Sequence, residues 1–100
     1  MQNSDNTEVG ELINAIINHD SCKVNELLNA GIDPNKSIDS NQITALHFAA
    51  QINALTIVPL LIQAGADIDA QTEPNGQTAL DIACAHKHIK MVDLLINYAN

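Results

Sequence analysis

Four histidines, two cysteines and twelve carboxylates are the side chains of this 100-residue chain that could hold a metal or move a proton. His86-x-His88 is the best local pair. Zinc needs four ligands, or three and a water, converging at about 2 Å. Two histidines do not make that set, so His19, His47 or the thiols of Cys22 and Cys84 would have to join them. Nucleophilic chemistry has no foothold either. The chain contains no G-x-S-x-G, no glycine-rich phosphate loop and no H-E-x-x-H. Its acids are dispersed through turns and helix ends, which describes a solvated surface. No catalytic residue, metal site or cofactor is expected.

Which of these groups can meet depends on the elements that carry them, and the chain repeats itself. Thr44-Ala45-Leu46-His47-Phe48-Ala49 recurs as Thr78-Ala79-Leu80-Asp81-Ile82-Ala83, an offset of 34. The same offset takes Ile57-Val58 to Met91-Val92 and Leu60-Leu61-Ile62 to Leu94-Leu95-Ile96. Backwards it takes Gly65 to Gly31, Asp67 to Asp33, Val58 to Val24 and Leu46 to Leu12. Three units therefore fill the chain without gaps. Their bounds are about 8–38, 39–72 and 73–100, with 1–7 expected as a flexible tail.

Each unit reads as two short helices. Leu46, Ala49 and Ala50 keep helical spacing, as do Leu80, Ala83 and Cys84. A second apolar set, Ile57, Val58, Leu61 and Ile62, follows a break. Thr44 and Thr78 are N-cap residues, and Asp81 sits three positions on, where its charge suits a helix N-terminus. Gly31 and Gly65 end the second helices of the first two units. Pro34-Asn35 and Pro74-Asn75-Gly76 are turn sequences. One unit cannot bury its apolar faces alone, whereas stacked units share a continuous core. Ala49, Ala50 and Ala83 let the helices approach, and Leu46 and Leu80 are expected in equivalent buried slots. Pro59 falls about one turn into a second helix, where it is expected to cost a backbone bond or a kink.

This register separates the candidate ligands. His19 lies near His88 in register but two units away, roughly 20 Å at the usual spacing of packed helices. Cys22 corresponds to Thr56 and Lys90 on an outer helix, and Cys84 to Ala50 on an inner one. The two thiols are thus too far apart for a disulfide. Both are expected free, Cys84 packed as a small apolar residue, which fits a reducing compartment.

The quoted motifs resemble the ankyrin repeat. Thr44-Ala45-Leu46-His47-Phe48-Ala49 is similar to T-P-L-H-x-A, and Gly65-Ala66-Asp67-Ile68-Asp69-Ala70 to G-A-D-V-N-A. The resemblance covers roughly residues 8 to 100. It implies an all-α solenoid of three stacked helix–loop–helix units with hairpin-like connections. It also implies that His47 packs beside Thr44 as a structural residue. Three departures stand out. Asn53-Ala54 and Lys87-His88 replace the family's Gly-His between helices, and Gln42 replaces a hairpin glycine. The first unit carries Lys23 and Glu26 where later units are apolar, as suits a solvent-facing cap. The carboxyl-terminal edge keeps Val92 and Ile96 and looks imperfectly capped.

The resemblance further implies a binding function without catalysis, through hairpin tips and the exposed side of the first helices. Carried over by position, the tip residues are Ser40, Asn41, Ile43, Pro74, Asn75 and Gln77. The helix residues are Ile17, Asn18, Gln51, Ile52, Ala85 and His86. Ile17, Ile43 and Ile52 are either exposed anchors or tucked against neighbouring units. The formal charge is −8, with four lysines and no arginine. That disfavours nucleic acid and anionic membranes, which need basic residues to replace counterions. Asp33, Asp39, Asp67, Asp69 and Glu73 fall in the connections, where only Lys36 offsets them, so a protein partner with a basic patch is expected. Self-association as a homodimeric domain and service as an accessory inhibitor or stabiliser of a separately encoded enzyme are the alternatives, and the expected state is a monomer or a weak homodimer. The first twenty residues lack a basic, apolar leader, and no apolar run nears the roughly 20 residues that span a bilayer. The expected address is cytoplasmic, or a host cytosol for an exported bacterial protein.

Overall fold

The computed structural model describes residues 4–35, 42–73 and 75–99. They form six helices and, among the described residues, no strand. These are α1 (Ser4–Ile17), α2 (Ser21–Asn29), α3 (Ala45–Gln51), α4 (Val58–Gln63), α5 (Ala79–Ala85) and α6 (Ile89–Ala99). The inner helices α1, α3 and α5 pack in a row, each with its own outer helix behind it, and α2 packs on α4. This is the all-α stack of helix pairs that the repeat implied. α1 begins at Ser4, inside the segment 1–7 expected as a tail. No helix of the described residues is long and apolar enough to cross a membrane.

The period of 34 survives in the backbone, since α3 shifted by 34 is α5. The outer helices match less closely, because α6 starts three residues ahead of the register that α4 sets. Pro59 is the second residue of α4. An N–H there would lie in the first turn, without an intrahelical acceptor, so its absence costs little and no kink follows. The expectation that Pro59 lies a full turn inside is thereby corrected.

Alanines make the close packing possible. Ala45, Ala49, Ala50, Ala79 and Ala83 are all buried between inner helices. Larger side chains, among them Leu12, Ile16, Leu46, Ile57, Leu61, Met91 and Leu95, fill the space between the layers. The equivalence of Leu46 and Leu80 fails, however. Leu46 is 1% exposed, whereas Leu80 is only partly buried against the core. Cys84, expected to pack like its counterpart Ala50, is exposed. The reason is shared: α5 covers the far side of α3, and among the described residues no helix covers the far side of α5.

The ends of α1 to α5 follow one device. The N–H groups of Asp20, Ala54 and His88 reach back five residues to the carbonyls of Ala15, Ala49 and Ala83 at 2.9–3.0 Å. The same bond, from Ile32 to Leu27 and from Ala66 to Leu61, closes the outer helices. This closure puts the residue before the donor in the left-handed region, which favours glycine. Gly31 and Gly65 supply it after the outer helices, with φ of 102° and 103°. After the inner helices the residues are His19, Asn53 and Lys87, with φ of 56°, 60° and 59°. Gln42 takes φ 59° where Gly76 takes 65°, so a residue with a side chain bears left-handed strain at the position where the third unit has glycine.

Two side-chain clamps fix the connections. The Asp33 carboxylate accepts from Asn35 N–H at 2.9 Å, and Asp67 accepts from Asp69 N–H at 3.0 Å, closing the same turn in two units. The Asn35 amide then donates to the Gly65 carbonyl at 2.8 Å and accepts from Asp67 N–H, tying the first connection to the second. Buried His47 receives the Thr44 N–H on Nδ1 at 2.9 Å, with the Thr44 hydroxyl 2.9 Å from the same nitrogen. Its Nε2 donates to the Ala70 carbonyl at 3.0 Å. Both ring nitrogens are thus engaged by a neutral imidazole, the structural role implied for it.

Three outcomes follow for stability. Leu46→Ala costs about 2–5 kcal/mol, while Leu80→Ala costs about 1–2 kcal/mol because less surface is buried there. Equal losses on chemical denaturation would contradict the one-sided stack. Lys87→Gly stabilises by up to about 1 kcal/mol, the relief of left-handed strain less glycine's entropy. Asn53→Gly gains less, since asparagine tolerates that region, and thermal melts of the two variants check the order. His47 has its pKa held below the ordinary 6.5, first by burial, against which hydrogen bonds to the Ala70 and Gln77 carbonyls pull upward. The unfolded chain therefore takes up a proton that the folded one refuses. Stability is full above pH 6.5, falls as the pH drops through that value, and levels off below the folded pKa. Denaturation curves from pH 8 to pH 5 show this slope in the parent and its reduction in His47→Gln.

Candidate functional site

The connection between the second and third units folds back on itself. Thr72 N–H donates to the Gln77 carbonyl at 2.9 Å, and Gln77 N–H returns to the Thr72 hydroxyl at 3.2 Å. Gly76 N–H also donates to the Thr72 carbonyl, at 2.7 Å. This pairing lifts Glu73 and Asn75 into a tip beside the ends of α3 and α5. Thr78 and Asp81 anchor α5 behind it by a reciprocal pair of 3.2 Å bonds between each side chain and the other's N–H.

Between tip and helices lies an open groove of about 330 Å³. Ile43, Gln51, Asn75, Gln77, Ala85 and His86 line it, drawn from the tips and inner helices of the second and third units. Ile82, Thr72, Glu73 and the edge of His47 complete it. Ile82 was legible in principle, because it precedes Ala85 by three residues and so shares its helix face. Glu73 follows from its place in the tip.

The remaining sequence candidates do not converge there. Ile17 is 49% exposed, and Asn18 lies in a separate shallow depression with Glu11, Asn14 and Lys23. Ile52 is half-buried against the core rather than presented as an anchor. Ser40, Asn41 and Pro74 lie outside the described residues.

The groove's chemistry is that of a peptide-binding surface. Gln51, Asn75 and Gln77 each offer two donors and a carbonyl acceptor. Ile43, Ile82 and Ala85 supply apolar contact. Glu73 brings a carboxylate, and among the described residues no lysine lines the groove. His47 has no free nitrogen to act as a base. The rings of His86 and His88 stack with centroids 5.5 Å apart. His88 is held through Nδ1 by the Ala50 carbonyl at 3.0 Å, which ties the third unit to the end of α3. Among the described residues no three His, Cys, Asp or Glu side chains are placed to hold a metal.

A family model of three ankyrin repeats matches residues 12–100. The human palmitoyltransferase ZDHHC17 is 36% identical over 69 residues, which is 69% of this chain and 11% of that protein. The human photoreceptor ankyrin repeat protein is 30% identical over 92 residues, 90% of this chain and 20% of that protein. A probable E3 ubiquitin-protein ligase of rice, XBOS33, is 47% identical over 51 residues, 51% of this chain and 10% of that protein. The chain therefore spans a fifth or less of the length of these relatives. Ankyrin repeats serve in general as protein–protein interaction modules and are generally non-catalytic. With helix pairs, period, caps and hairpin all matching, the chain belongs to the ankyrin-repeat family.

Proposed function

We propose that this domain binds a partner protein through the groove between its second and third units. The partner offers an extended segment with basic residues. The observation that carries this reading is the convergence of residues from separate stretches of the chain on one open groove. Amides there suit a peptide backbone, Ile43 and Ile82 suit an aliphatic side chain, and Glu73 suits a lysine or arginine. Ile43 with Ile82 is the anchor, because Ile52 is turned toward the core. Asp67 and Asp69 extend the acidic edge beyond the groove, both exposed. Long-range attraction along such an edge speeds encounter and fades with salt, since charges are screened beyond about 8 Å at physiological ionic strength. The exposed, unpaired thiols of Cys22 and Cys84 favour a reducing compartment, consistent with work in the cytoplasm.

Affinity capture with quantitative mass spectrometry, run in parallel on the parent and Ala85→Arg, tests the reading. Ala85 is exposed on the groove wall, so arginine fills the groove and leaves the core alone. Partners bound through the groove drop by about tenfold or more. Glu73→Lys then slows association of the same partner, and the parent's association rate falls as salt rises. A partner captured equally by the parent and Ala85→Arg, with an association rate indifferent to Glu73→Lys, would overturn the groove as the binding site.

A further inference from the structure

The two ends of the stack are built differently. Each internal junction covers one face of a unit. At the second unit this face is Leu46, Ala50 and Val58, all buried beneath the third unit. At the third unit the same positions are Leu80, Cys84 and Val92, partly buried or exposed, and Ile96 beside them is 42% exposed. The opposite end is polar. Where the second and third units present Ala45 or Ala79, and Ile57 or Met91, the first unit presents Glu11 and Lys23, both exposed.

The charge divides along the same line. Ten of the twelve acids and two of the four lysines lie in residues 1–78, which carry the whole formal charge of −8. Residues 79–100 hold Asp81, Asp93, Lys87 and Lys90 and are balanced. Two copies of so acidic a chain repel each other over most of their surface and least at the third unit. Stacking head to tail would press Glu11 and Lys23 of one copy against Leu80 and Val92 of the other, stripping water from charges without partners. Pairing the third unit's face with itself buries apolar against apolar, closes after two copies and leaves the acidic bodies at opposite ends.

We infer that the face formed by Leu80, Cys84, Val92 and Ile96 is a self-association surface, by which two copies pair through a two-fold axis. It shares no residue with the groove, so each copy keeps its groove open and the pair displays two. A partner offering two basic segments then gains from simultaneous engagement. The face is that of a single unit, so the pairing is reversible and depends on concentration.

Light scattering across a concentration series, under reducing conditions, gives the test. The parent passes from monomer to dimer mass as concentration rises. Ile96→Glu, with an unchanged circular dichroism spectrum, raises the dissociation constant by about tenfold or more. A short bismaleimide links the copies through Cys84, a link kept in Cys22→Ser and absent in Cys84→Ser. A parent that stays monomeric throughout overturns the inference. So do a dimer indifferent to Ile96→Glu, cross-linking that runs through Cys22, and growth beyond two copies.

Discussion

A seven-residue helix does not hold itself together in water, and α3 and α5 are each seven residues long. What holds them is the face that one unit gives to the next. Ala45, Ala49 and Ala50 are small enough to bring inner helices together, and Leu46, Val58 and Leu61 fill the space this leaves. The hairpin, the groove and the caps all take their positions from that contact. The groove in particular exists only because α3 and α5 lie side by side with a folded tip between them.

Polar groups set the register that apolar contact leaves free. Asn35 joins the first connection to the second through its amide, and His88 joins the third unit to the carbonyl of Ala50. His47 closes the start of its own helix and reaches Ala70 with its other nitrogen. No buried side-chain nitrogen or oxygen among the described residues lacks a partner. These bonds are individually modest, but each has one correct register, and a slip of the stack would leave the Asn35 and His88 bonds between units unmade.

Much of this was legible in the residues. An offset of 34 fixed the number of units, the layer of each helix and the position of the caps. The resemblance to the ankyrin repeat placed Ile43, Gln51, Asn75, Gln77, Ala85 and His86 on one side, where they meet. What a repeat register does not contain is whether a neighbour is present, and this is why Leu80 and Cys84 looked as buried as Leu46 and Ala50. The left-handed residues were hidden for another reason. Histidine, asparagine and lysine carry no turn signature as strong as glycine's, so only the carbonyl each helix must satisfy reveals that His19, Asn53 and Lys87 hold one conformation. Ile52 was ambiguous because position on a helix end does not fix which way a side chain turns.

The joining of the third unit to the second also bears on how the molecule comes apart. In a row of units coupled only to their neighbours, melting starts where a unit has fewest supports and travels inward like a zipper. At one end, the first unit is fastened to the second by paired inner helices, by α2 against α4 and by the Asn35 amide. At the other, the third unit is fastened to the second by paired inner helices and by the His88 ring on the Ala50 carbonyl. The groove needs both of the last two units, so it is lost whenever the third unit comes away. Binding at that groove ties those two units together, so occupancy and mechanical endurance of this chain rise together.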